Sequence, residues 1–207
     1  MRTMSEGNEA SVGVMRSPLR DLLDRLGMDA SFGDHHAAIG SALESRLTTE
    51  AWDAAFEFFS YTRKAHLDAA ALTLARLLDD RHDVISFRQL PRLIESEAGR
   101  FHNVAPSAVR STIIPHVEKE IATLVKMVEP IKRRRDQLMA HTAREQDLTN
   151  ADWMIEFSDM ESALMRALEL VNYLQRALEG PGTCLIVGAK RENVGAELDR
   201  LMQPFQH

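Results

Sequence analysis

The feature that most constrains this chain is a long apolar stripe near its middle. The stripe residues recur at steps of three and four, the period of one face of an α-helix. Extended at about 100° per residue, this helix carries Arg135 about 40° from Ile131, in the middle of the stripe, with a kink expected at Pro130. Since arginine is almost never fully buried without a partner, Arg135 indicates an ion pair, a subunit interface or an anionic ligand. The stripe consists of Ile113, Val117, Ile121, Leu124, Val128 and Ile131.

Other apolar patterns are also helical, and only 6% of the 207 residues are aromatic. The strand-like run 183–187 has no partner of similar strength, so a sheet is unlikely. The sequence predicts an all-α bundle of about five to seven helices. Four glycines interrupt residues 1–33, which we interpret as a flexible N-terminal arm before a helical domain over 34–207. Helices are expected at about 36–47, 49–61, 66–78, 87–96, 158–178 and 192–202, with capping boxes at Ser86/Gln89 and Ser158/Glu161, and a turn at 103–108 leads into the long central helix that carries the stripe.

Charge is distributed unevenly. The whole chain has a net charge of −6, which argues against a protein coated in nucleic acid. The segment 126–144, however, has six basic residues against two acidic ones, a local net charge of +4. Such a focused patch suits phosphate groups. We therefore expect Lys132, Arg133 and Arg134 to bind phosphate groups, such as those of a nucleic-acid backbone.

Several functional classes are disfavoured. Cys184 is the single cysteine, so no internal disulfide is expected and a reducing cytoplasm is the natural location. No segment reaches the length of a membrane span, and we expect no membrane association. The sequence 34–36 (Asp-His-His) lacks a second ligand pair at suitable spacing, so no metal site and no cofactor are expected.

An arginine followed six positions later by a histidine occurs three times, at Arg76, Arg110 and Arg135. Spacing alone is therefore uninformative. The third occurrence differs because it follows the basic run, has Asp136 after the arginine, and places its arginine on the apolar stripe.

The motif Arg135-Asp136-x-x-x-Ala140-His141 resembles the signature of HEPN domains, a helical family that includes RNA-cleaving toxins. The segment 66–80 (HLDAAALTLARLLDD), followed by Ser86-Phe87-Arg88, is similar to the AbiU branch associated with abortive phage infection. Together the resemblance covers about residues 36–180.

The resemblance implies a metal-independent endoribonuclease of a toxin–antitoxin or phage-defence system. Arg135 and His141 would be catalytic and Asp136 supportive. This is chemically coherent, because histidine exchanges protons near neutral pH and the arginine fork stabilises a phosphorane. RNA is the expected partner, and an antitoxin protein is a further candidate.

Helix geometry adds a constraint. Six residues separate Arg135 from His141 by about 120° on an ideal helix, whereas Arg134 is better aligned with the histidine. Either the helix distorts, or two motifs meet in a homodimer, as the family resemblance implies. We expect that interface on the helix carrying Val128, Ile131, Arg135 and Leu138.

Three other interpretations remain open. The chain could be a non-catalytic HEPN module that binds RNA, nucleotide or a partner protein through the same cleft. It could be a helical scaffold whose interface happens to contain the motif. In the plainest case, Asp136 pairs with a nearby base and His141 stabilises the end of the helix.

Overall fold

The computed structural model describes residues 17–46, 49–140, 157–183, 186–188 and 191–202, without the side chains of 46, 49–56, 134–140, 191–192 and 201–202. Within these residues there are helices and no strand, which confirms the predicted all-α bundle. The helices are α1 (Pro18–Arg46), α2 (Thr49–Leu77), α3 (Leu90–Ser96), α4 (Pro106–Ala108), α5 (Ile114–Ala140), α6 (Phe157–Glu179) and α7 (Arg191–Met202).

Helix α1 lies at the centre of the bundle, where it packs against α2, α6 and α7. One face of its first turns is fully buried, with Leu19, Leu23 and Leu26 at 0% exposure. The predicted N-terminal arm is therefore wrong for residues 18–33, which belong to the core. Residues 1–16 of that arm lie outside the described residues.

Glycine accounts for this error, because glycines that weaken a helix in isolation here permit close packing. A Cβ atom at Gly27 would lie 2.0 Å from Ile186, and one at Gly40 would lie 2.0 Å from the ring of Phe157. At Gly33 it would lie 2.8 Å from Leu164. The glycines of α1 are therefore sites where other parts of the chain approach its backbone.

Helix α2 is one helix where the sequence predicted two segments, and it runs antiparallel to α1. The pairs Asp29–Arg76 and Arg63–Glu44 connect the two helices, at 2.5 and 2.8 Å respectively. The next prediction, a capping box at Ser86, is wrong. The Ser86 side chain makes no cap hydrogen bond, a 3₁₀ turn comes first, and the Gln89 side chain donates to the Val84 carbonyl at 2.9 Å.

The apolar stripe begins in a π-helical segment, Val109–Ile113, between α4 and α5. Pro115 has no N–H to donate to the carbonyl four residues earlier, and a wider turn accommodates that loss. Pro130 does not interrupt α5, which continues to Ala140.

The stripe faces the interior of the single chain. Val117 and Val128 are 0% exposed, and Ile131 is 1% exposed. Side chains enclosed by their own chain cannot form a subunit contact, so the expected dimer interface through Val128 and Ile131 is wrong. The side chains of Arg135 and Leu138 are not described.

Helix α6 matches the predicted helix and ends at Gly180, which has a φ of 88°. An extended strap, residues 186–188, then crosses α1 towards α7. The Asn172 side chain pairs with both backbone groups of Ile186: it donates to the carbonyl at 2.9 Å and accepts from the N–H at 3.0 Å. Ser31 donates to the Val187 carbonyl at 3.2 Å. The side-chain amide of Asn172 therefore makes the two backbone hydrogen bonds with Ile186 that a neighbouring strand would make.

Gly40→Ala should destabilise the fold. A new methyl group would meet the Phe157 ring, and such overpacking costs about 1–3 kcal/mol, which exceeds the gain in helix propensity of up to about 1 kcal/mol. Gly99→Ala is the matched control, because its Cβ would have no neighbour within 4 Å. Urea unfolding should show a lower free energy for Gly40→Ala alone, and equal values would contradict this packing.

Candidate functional site

The last turns of α5 carry the basic run. Lys132 is half-buried, and Arg133 is exposed and donates to the Glu129 carboxylate at 3.2 Å. The helix extends over Arg134, Arg135 and Asp136, whose side chains are not described. His141 lies outside the described residues. The structure thus places the basic run and Arg135 on one helix end, and gives no distance to the histidine.

The position of Arg135 on α5 follows from the buried residues before it. Arg135 comes four residues after Ile131 and seven after Val128, and at about 100° per residue its backbone position falls between theirs. Both of those side chains are buried. Arg135 therefore occupies the continuation of the core-facing side of α5, whereas Arg133 is on the solvent side.

The loop after α2 lies beside this helix end. Hydrogen bonds from Arg81, together with the smaller effect of the nearby Lys132 charge, lower the pKa of the Asp79 carboxyl. Asp79 accepts from the backbone and the side chain of Arg81 at 2.9 and 3.1 Å. Asp80 pairs with Arg88 at 2.9 Å. These contacts give the charged loop a structural role.

In the two other arginine–histidine pairs, the arginine and the histidine make separate contacts. Arg76 is paired with Asp29, whereas His82 lies outside α2 in an exposed loop. Arg110 lies 3.9 Å from Glu95, and His116 makes an edge contact with the Tyr173 ring at 4.7 Å. Neither arginine is associated with its histidine, so both pairs are natural controls for the third.

A pair of histidines that the sequence did not predict joins α1 to α2. The Nδ1 atoms of His36 and His66 are 2.8 Å apart, so one ring must donate a hydrogen bond through its N–H to the nitrogen of the other. Burial, with a contribution from neighbouring histidines, lowers both pKa values. Thirty residues of sequence separate the two rings, and only the antiparallel packing brings them together. Among the described residues there is no cluster of three or more histidine, cysteine or acidic side chains suited to a metal.

A large groove lies on the outer side of this pair. It has a volume of about 770 Å³, within the range of ligand pockets and partner clefts. Its floor is α1, and its walls are α2 on one side and the strap with α7 on the other. Most lining side chains are apolar, among them Ile39, Leu43, Phe58 and Val194.

The described structure is thus an all-α domain with a long helix that ends in a basic run. The HEPN family model described as AbiU2 matches residues 19–187. The chain belongs to this family, whose name associates it with abortive infection. The match begins at Leu19, so all but the first residue of α1 lies within the family domain.

Comparison with curated proteins and with solved structures gave no match. In the described part of the chain, no helix combines the length and the apolar character that crossing a membrane requires.

The histidine pair should make stability depend on pH. Its pKa values are lowered from 6.5 on folding, so the folded state binds fewer protons than the unfolded chain. The stabilisation is present above pH 6.5 and is lost as pH falls through the folded pKa values. In the His36→Gln/His66→Gln variant, the unfolding free energy should fall less between pH 7 and pH 5 than in the wild type. His82→Gln should retain the wild-type pH dependence, and identical slopes in all three proteins would refute the assignment.

Proposed function

We propose that this protein is a metal-independent endoribonuclease of a toxin–antitoxin or phage-defence system, with its active site at the end of α5. The observation that carries the proposal is the continuation of α5 through the basic run, within the matched HEPN domain. Helical periodicity supports a position for Arg135 on the continuation of the core-facing side of α5, and Arg133 on the same helix is exposed. A fixed cation beside exposed ones is the arrangement that phosphoryl chemistry requires.

The exposed part of the basic run is suited to an RNA backbone. The one contact described for the Arg133 side chain is an exposed ion pair with Glu129, one turn earlier on the helix. Such pairs contribute about 0.3–0.5 kcal/mol to stability. A phosphate can therefore replace the carboxylate at low cost. Asp79 and Asp80 carry negative charge nearby, but each is paired with an arginine of its own loop region.

The proposed reaction uses the 2′-hydroxyl of the RNA as nucleophile. His141 takes its proton, the 2′-oxygen bonds to phosphorus, and the bond to the 5′-oxygen breaks. The products are a 2′,3′-cyclic phosphate and a 5′-hydroxyl, which receives a proton. Arg135 stabilises the charge of the phosphorane, and Asp136 orients the histidine or the arginine. DNA lacks the nucleophile, so RNA is the substrate.

The chain must bring Arg135 and His141 to one phosphate. On a continued ideal helix the two positions are about 120° apart. A turn of the backbone after Ala140 would align them, and a histidine from a second copy would do so as well. Mixing the inactive variants Arg135→Ala and His141→Ala separates the two routes, because only a shared site regains activity.

His141→Ala should lower cleavage of total cellular RNA by about two to four orders of magnitude, the usual contribution of a general acid–base group. Arg135→Ala should cost a similar factor, since the phosphorane loses its charge partner. The measurement is the initial cleavage rate of purified protein in the presence of a chelator, with folding checked by circular dichroism.

His82→Ala and His116→Ala are the controls for spacing and should cleave at close to the wild-type rate. Equal rates for all three histidine variants, or loss of wild-type cleavage on chelation, would refute the Arg–His mechanism. Tight RNA binding without any cleavage by the wild type would instead support the non-catalytic module.

RNA binding should depend on the basic run rather than on total charge. Arg133→Gln/Arg134→Gln should weaken binding and reduce the salt slope by roughly 2, because each lost phosphate contact reduces it by about 1. Binding is measured by fluorescence anisotropy from 50 to 300 mM salt, a range set about the usual working conditions.

The matched control is Arg63→Gln/Arg166→Gln, which changes the net charge equally but removes arginines paired with Glu44 and Glu120. It should retain the wild-type slope. An equal reduction in both double variants would mean that RNA responds to net charge alone.

A further inference from the structure

A second, smaller pocket lies between α5 and α6, close to the basic run. Its volume is about 260 Å³, which is below the roughly 300–1,000 Å³ of pockets that bind drug-sized ligands. The pocket therefore suits one small ring system rather than an extended ligand. We call it the α5–α6 pocket, and its lining residues are Lys126, Met127, Pro130, Ile131, Asp159 and Ser162.

The packing of the two helices sets Lys126 and Asp159 opposite each other. Glu120 of α5 accepts from Arg166 of α6 at 2.7 Å, and later residues of α5 meet earlier residues of α6 in the pocket, so the helices are antiparallel. Counted from that ion pair, Lys126 comes six residues later and Asp159 seven residues earlier. At about 1.5 Å per residue, the two positions differ in height by only about 1.5 Å.

A cation and a carboxylate at one level would be expected to pair, as they do one level below. Glu120 and Arg166 close directly into an ion pair. Lys126 and Asp159 instead line a cavity from opposite walls, and neither forms an ion pair with another side chain in the described part of the chain. The pocket therefore has a hydrogen-bond donor on one wall and two acceptor oxygens on the other, with space between them.

The rest of the lining suits the flat face of a ring. Ile131 is 1% exposed, and Met127 is partly buried against the core. Pro130 adds a third apolar side chain. The Ser162 hydroxyl donates to the Ser158 carbonyl at 2.8 Å, which leaves its oxygen free to accept. A group with apolar faces and a polar edge matches this lining, and nucleobases are such groups.

The pocket lies one helical turn before the basic run. Arg134 follows Pro130 by four residues and Met127 by seven, and at about 100° per residue its backbone position falls between theirs. The rise over four residues is about 6 Å. A phosphate held by the basic run would therefore leave the base of its own nucleotide within reach of the pocket.

Guanine is the RNA base whose hydrogen-bonding edge matches the two walls. Its N1–H and N2–H groups are adjacent donors, which the two oxygens of one carboxylate can accept together, and the neighbouring O6 accepts from a cation. On the same edge, adenine and cytosine each have one donor group beside an acceptor, and uracil has one donor between two acceptors. A carboxylate meets two donors only on guanine.

We propose that the α5–α6 pocket binds a guanine base of single-stranded RNA whose phosphate lies at the basic run. Asp159 accepts from N1–H and N2–H, and Lys126 donates to O6. The proposal rests on the proposed function for its ligand, RNA at the end of α5, but not on the cleavage chemistry. It makes Asp159 and Lys126 the residues that determine base specificity.

The test is binding of the full chain to short oligonucleotides with 2′-O-methyl groups, which cannot be cleaved because the nucleophile is blocked. One central residue of a uridine run is replaced by guanosine, inosine, adenosine or cytidine, and affinity is measured by fluorescence anisotropy. The guanosine oligonucleotide should bind about 5- to 150-fold more tightly than those with adenosine, cytidine or uridine. Inosine, which lacks the N2 amine, should be intermediate.

Variants assign this preference to the pocket. Asp159→Asn should abolish it, because a carboxamide has one acceptor oxygen and sets its own donors against those of guanine. Lys126→Met should reduce it, because the donor to O6 is lost. The matched control is Glu169→Gln, which removes the same charge from an exposed position of α6 outside the pocket. It should keep the wild-type preference, with folding of each variant checked by circular dichroism.

Equal affinity for all the oligonucleotides, a preference for another base, or a guanosine preference that survives Asp159→Asn would overturn the pocket assignment and leave the proposed ribonuclease standing. An absence of RNA binding at any sequence would overturn both proposals. A guanosine preference lost in Asp159→Asn, in a protein that does not cleave RNA, would support the pocket and refute the cleavage chemistry alone.

Discussion

The structure depends on how closely other parts of the chain approach the backbone of α1. Its three glycines are the points of closest approach: Gly27 faces the strap, Gly33 faces both α6 and α2, and Gly40 faces the ring of Phe157 at the beginning of α6. Without a Cβ, a helix lets its neighbours come closer than an alanine or leucine would. Helices α2 and α6 can therefore both pack against α1, and α5 closes the core from the far side. The loss of helix propensity at these positions is offset by the packing that they allow.

The role of these glycines also explains which helices could be predicted from the sequence and which could not. The α5 stripe and the α6 pattern predicted their helices because apolar periodicity records burial directly. The beginning of α1 was missed because Gly27 and Gly33 weaken a helix considered alone, and their compensation comes from Ile186 and Leu164, far away in sequence. The expected contact through Val128 and Ile131 was wrong for a related reason. Periodicity shows that a face is buried, but not whether its own chain or another chain covers it.

Part of the candidate site could be predicted from the sequence by the same reasoning. The basic run and Arg135 could be found from charge and from the stripe, and the structure places them on one helix. The family match supports the resemblance on which the assignment of Arg135 and His141 rests. The His36–His66 contact could not be found, since it joins two helices at positions that no local pattern relates. A motif within one helix could therefore be found from the sequence more readily than a contact between two helices.

The π-helical segment Val109–Ile113 has a consequence for the opposite end of α5. A π turn holds more residues than an α turn, so this segment fixes the rotational phase with which the rest of the helix leaves it. Removing one residue there can close the wide turn to an α turn and leave the phase of the rest of the helix unchanged. Removing one residue from the regular part of α5 would instead rotate everything downstream by about 100°, and the remaining stripe and Arg135 would turn away from the core together. A one-residue deletion is therefore tolerated at the beginning of this long helix but not along it.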